Sequence, residues 1–189
     1  MLAPHAATSP PWRFMVLALL LGIGVAHSRA WSQEGNADAD KAIAEIQKLG
    51  GKVDRDEKAE GKPVITVNFG TTSVDDSALV HVEGLKSLKK LTLNGTKVTD
   101  AGLEHLKGLM SLEKLYLVDT KISDAGLEQL KDLANLKVLS LVGTEVGDAG
   151  LEHLKGLSNL QDLFLFGSKV TEDGAKKLKE ALPKVKIDR

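Results

Sequence analysis

Three histidines, His81, His105 and His153, recur at one position of a periodic chain, with Gln129 in the place between the last two. Imidazoles on neighbouring turns of a repeat could approach one another as a metal pair. A zinc-type site needs three or four ligands, however, and no third donor accompanies them. Asp76, Asp100, Asp124 and Asp148 form a second row. Stacked carboxylates could hold a cation. An acid that opens a helical segment also accepts hydrogen bonds from free N–H groups and suits the helix dipole, and capping is the role expected here. Lys107, Lys131, Lys155 and Lys179 run beside Glu104, Glu128 and Glu152. Offset rows of opposite sign describe a solvated face with weak ion pairs, not a basic patch. Gly102, Gly126, Gly150 and Gly174 recur with the repeat geometry and do not resemble a phosphate-cradling loop. Hydrolase, kinase and metalloprotease motifs are missing outside the repeated pattern. The residues therefore imply no catalytic group, cofactor or metal, and a chain that is not an enzyme.

What positions these rows is a 24-residue period. Leu91, Leu93, Thr96, Val98, Asp100, Gly102, Leu103 and Leu106 return as Leu115, Leu117, Thr120, Ile122, Asp124, Gly126, Leu127 and Leu130. They return again as Leu139, Leu141, Thr144, Val146, Asp148, Gly150, Leu151 and Leu154, then as Leu163, Leu165, Ser168, Val170, Gly174 and Leu178. A degenerate earlier copy has Val67, Phe69, Thr72, Val74, Asp76, Leu79 and Val82. Leu91-x-Leu93 alternates as a short strand with one buried face does. Leu103, Leu106, Leu109 and Leu112 then step by three, as in a helical or 3₁₀ segment with one apolar side. No copy can bury its own leucines, so the copies must stack, each strand about 4.8 Å from the next in a parallel sheet. The Thr72–Thr96–Thr120–Thr144–Ser168 row falls where the chain leaves the strand, and its hydroxyls can satisfy backbone groups that the turn leaves unpaired.

This frame resembles the leucine-rich-repeat family, most closely an exported bacterial subgroup with LxxLxLxxTxITDAGLxxL copies. The resemblance covers roughly residues 37–189 and departs from the wider family in having Thr or Ser where Asn or Cys is common at the turn. It implies an α/β solenoid, a right-handed horseshoe arc with its parallel sheet on the concave face and short helices on the convex face. It also implies recognition of a protein or peptide.

The strand positions between the leucines are then the candidate partner site. In register they read Lys90, Lys114, Val138 and Asp162; Thr92, Tyr116, Ser140 and Phe164; Asn94, Val118, Val142 and Phe166. Tyr116, Phe164 and Phe166 fall on one surface beside Val118, Val138 and Val142. Aromatic anchors on a contiguous apolar patch are what a partner needs, although strand propensity alone also favours these types. The same patch could serve self-association, which makes a structural, self-associating envelope protein the alternative.

The ends differ from the middle. Arg13, an apolar run of 13 residues from Phe14 to Ala26, and small residues at Ala26, Ser28 and Ala30 read as a signal peptide over residues 1–30. The run is short of the ~20 residues that span a bilayer, so no stable membrane insertion is expected after cleavage, and the mature chain is expected to be periplasmic or secreted. Residues 31–36 read as a linker and 37–63 as a helical cap, with Ile43, Ile46 and Leu49 inward and a glycine stop at Gly50-Gly51. Five repeats occupy 64–183, and 184–189 is a capping strand in which Lys184 and Lys186 guard the edge. The chain has no cysteine, which excludes disulfides and thiolate sites. Beyond residue 30 it carries 23 basic and 26 acidic residues, net −3, which gives no reason to expect a nucleic-acid partner.

Overall fold

The computed structural model describes residues 38–189. The expected signal peptide and linker lie outside the described residues. A helix, α1, runs over 38–48 and buries Ile43 and Ile46, while Leu49 stays 39% exposed at its end. Gly50, at φ 85°, stops it in the left-handed region, which costs little without a Cβ.

Seven strands then line up in sequence order: β1 (Lys52–Arg55), β2 (Val64–Asn68), β3 (Lys90–Thr92), β4 (Lys114–Tyr116), β5 (Val138–Ser140), β6 (Asp162–Phe164) and β7 (Lys186–Asp188). From β2 onward every pair is parallel, and Val67, Leu91, Leu115, Leu139, Leu163 and Ile187 stand in one register. The exception to the parallel pairing lies in the N-terminal cap. β1 pairs antiparallel with β2, because a short turn joins them and only a hairpin can close over so few residues.

Opposite the strands lie short helical pieces. Two are 3₁₀ turns, Asp76–His81 and Gly102–Leu106, and two are single α turns, α2 (Asp124–Leu127) and α3 (Asp148–Leu151), each continued by a 3₁₀ turn. The last, α4 (Glu172–Ala181), is longer, and the Thr171 hydroxyl caps it by accepting from the Gly174 N–H. The repeated leucines fill the space between the two layers and are almost completely buried.

Four kinds of row hold the coils. The hydroxyls of Thr72, Thr96, Thr120 and Thr144 donate to the carbonyl three residues earlier, at 2.6–2.7 Å, so they close the turn within their own coil as expected. Ser168 departs from the row: its hydroxyl accepts from the Val170 N–H. At the turn before the strand, Asn135 and Asn159 each donate to a carbonyl of the preceding coil, Met110 and Ala134, at 2.8 Å. Backbone bonds from Lys97, Glu145 and Lys169 to the previous coil make a second ladder beside the sheet.

The aspartates form the fourth row, and their role corrects the expectation. Asp76, Asp124 and Asp148 open their helical turns and Asp100 precedes its own by two residues, but in each Oδ1 accepts from a backbone N–H in the next coil: Asp76 from Thr99, Asp100 from Ser123, Asp124 from Gly147 and Asp148 from Thr171, all at 2.7–2.8 Å. The hydroxyls of Thr99, Ser123 and Thr171 donate to the second oxygen of the same carboxylates. Two oxygens and two lone pairs each let one carboxylate bridge two donors, which an N-cap contact alone would not use. The recurring glycines serve this contact. A Cβ on Gly102, Gly126, Gly150 or Gly174 would lie 2.0–2.5 Å from Oδ1 of the aspartate in the preceding coil.

Candidate functional site

With the leucines pointing inward, the alternate strand residues form the outer face of the sheet. The register is the one read from the sequence. Lys90, Lys114, Val138 and Asp162 pair in one row, and Thr92, Tyr116, Ser140 and Phe164 in the next. The ladder continues past the strands through Gly95, Asp119 and Gly143, whose N–H groups donate to Val118, Val142 and Phe166. This carries Asn94, Val118, Val142 and Phe166 alongside as a third row.

Exposure separates the twelve candidates. Lys90 and Lys114 are exposed, and Phe166 stands 70% open to solvent. Thr92, Asn94, Tyr116, Val118, Val138, Val142, Asp162 and Phe164 are half-buried. Ser140 is the exception: it is buried, at 4% exposure, in register between Tyr116 and Phe164. A small residue between two rings is the floor of the face, not an accessible hydroxyl. Asn94 also has structural work, since its Oδ1 accepts from the Val118 N–H at 3.0 Å and ties two coils. The Lys90 ammonium lies 5.5 Å from the centroid of the Tyr116 ring, a cation–π contact across adjacent strands.

Elsewhere the charged rows pair along and between coils. Lys131 and Lys155 reach the glutamates three residues before them, as the alternating rows suggested. Lys137 reaches Glu113 in the preceding coil at 2.7 Å, and this hydrogen bond holds the Glu113 carboxyl below its ordinary pKa. Lys169 reaches Glu145 in the same way at 3.2 Å. In the histidine row, His105 Nδ1 lies 3.1 Å from Glu83. Among the described residues no three His, Cys, Asp or Glu side chains are gathered as a metal site would need.

A cavity of about 730 Å³ between α4 and β7 was not foreseen. Glu172, Lys176, Lys179, Lys186, Ile187 and Arg189 line it.

Residues 108–131 and 133–155 match the family model described as Leucine Rich repeat. The ectodomain of the receptor kinase SOBIR1 from Arabidopsis thaliana shares the fold, with TM-score 0.50 at 18% identity over 80% of this chain and 91% of that one. The fold is a leucine-rich-repeat solenoid. The chain is also similar to the PEPR1 chain of the PEPR1–AtPEP1 complex (TM-score 0.47, 19% identity, 69% of this chain). A third similar structure is an internalin from Listeria monocytogenes (TM-score 0.41, 26% identity, 58% of this chain). It spans only 18% of the first of these two and 36% of the second. No curated protein matches the sequence. No helix among the described residues is long and apolar enough to cross a membrane.

Proposed function

We propose that this solenoid is an exported binding scaffold that takes a protein or peptide partner on the concave face of its sheet. The observation that carries the reading is the placing of Tyr116, Phe164, Phe166, Val118, Val138 and Val142 on one surface, with Phe166 largely exposed and no leucine of the stack involved. Aromatics offer large contact area at low entropy cost, and Lys90, Lys114 and Asp162 give the patch a polar rim. Export rests on the residue 1–30 pattern, and a partner outside the cytoplasm goes with it.

The test is a pull-down from an envelope and culture-medium extract, using wild type and a bait with Tyr116, Phe164 and Phe166 changed to Ser, checked for folding by circular dichroism. Capture by wild type alone is the expected result. Equal capture by both baits would remove the concave face from the reading.

The exposure of Phe166 also favours a second reading, self-association through the same patch. Sedimentation would then show concentration-dependent oligomers that Phe166→Asp abolishes.

A further inference from the structure

Two lysines on the sheet's outer face stand where a fold alone would not put them. Lys90 and Lys114 are directly paired on adjacent interior strands, and like charges so placed cost stability. They are not edge guards, because β3 and β4 each have a strand on both sides. Among the described residues neither ammonium has a carboxylate within ion-pair distance. On their own row the nearest acids are Asp162, two strands beyond Lys114 and paired in register with Lys186, and Asp54, two strands before Lys90. At about 4.8 Å per strand each lies roughly 10 Å off. Lys90 meanwhile leans over the Tyr116 ring on β4, the strand that carries Lys114. The Lys90 ammonium is thereby drawn over β4, and the Glu113 carboxylate beside Lys114 in sequence is bonded to Lys137 instead.

Next to this cationic pair the face turns apolar. Val138 follows Lys114 in register, buried Ser140 forms the floor between two rings, and Phe164 and Phe166 rise beyond it. From the lysine pair to Phe164 the separation is two to three strands across and two residues along, roughly 14 Å. An extended chain covers that in about four residues.

We infer that the partner's contact segment is an extended peptide with a carboxylate seated between Lys90 and Lys114 and a large apolar side chain about four residues away against Phe164 and Phe166. This rests on the concave-face reading above. The carboxylate would relieve the lysine–lysine repulsion and accept charge-assisted hydrogen bonds from both. The apolar residue would cover the aromatic patch.

A displayed library of random linear peptides, selected on the immobilised full chain, tests this directly. Recovered sequences are expected to carry Glu or Asp three to five residues from Leu, Ile, Phe or Trp. Replacing that acid with its amide should weaken binding about tenfold, as loss of a hydrogen-bonded charge does. The acid preference should vanish on a Lys90→Gln/Lys114→Gln bait and persist on Lys107→Gln. Peptides without acid preference that still require Phe164 and Phe166 would overturn the inference and leave the concave-face reading standing. Peptides indifferent to both sets, or none recovered, would overturn both. Selective retention of a sulfated polysaccharide in place of acidic peptides would replace the peptide as the ligand class.

Discussion

The aspartate rim and the outer face of the sheet are built from the same 24-residue period, yet they use it in opposite ways. Along the row of aspartates the type is kept in Asp76, Asp100, Asp124 and Asp148, each bonded to the Thr, Ser or Gly one coil on, and Gly stands two residues after the last three. Across the face it changes at most steps, from two Lys to Val and Asp in one row, and from Thr to Tyr, Ser and Phe in the next. Where each coil must bond to the next, every copy needs the same donor and acceptor. Where the side chains face outward the stack leaves the type freer to vary, and Asn94 and Ser140 are positions it still constrains.

Substitutions can break or sharpen that contrast. The largest effect belongs to the core beneath both regions. Leu139 is completely buried in the interior strand β5, and Leu139→Asp should abolish the cooperative melting transition, since an unpaired carboxylate cannot be solvated there. A mutant that melts like wild type would refute the register.

On the rim, Gly126→Ala puts a methyl group 2.3 Å from Asp100 Oδ1 and must displace it from Ser123. Losing charge-assisted bonds of this kind should cost about 2 kcal/mol by denaturant unfolding. The cost should be non-additive with Asp100→Ala, because both remove the same contact.

The rim also gives the chain an acid-sensitive component. The Thr171 hydroxyl and N–H hold the Asp148 carboxyl below its ordinary pKa. The stabilisation from this shift is therefore present above the ordinary carboxylate range and is lost as pH falls through the lowered value. Asp148→Asn should be less stable than wild type at neutral pH, with the gap closing on acidification in thermal melts. A gap independent of pH would mean that the carboxylate's charge is irrelevant.

The smallest effect is expected on the solvated face, where Glu128→Ala should shift stability by less than ~0.5 kcal/mol in the same unfolding measurement.

The stack was legible in the sequence because its signal is local. Leu91-x-Leu93 and the three-residue steps from Leu103 announce strand and helical turn within one copy, and recurrence supplies the register. The aspartates were visible as a row, but their partner lies 23 residues away in the next coil. A local rule therefore assigned them to the nearest helix end. Asn135 and Asn159 escaped notice for the same reason, since only two copies carry them. On the face, alternation gave the register of the outward residues but could not show that Ser140 sinks between larger neighbours, because burial there depends on cross-strand side-chain size. The antiparallel β1 depended on loop length, not on the repeat.

The aspartate and asparagine bonds between coils span 23 to 25 residues, close to one repeat. A gene segment encoding one whole unit could thus be duplicated or deleted in frame, and each Asp would still meet a donor and each Leu a neighbour. Recombination by any other length would throw every row out of step at once. The architecture lets the scaffold change its reach by whole coils while filtering out the intermediate lengths.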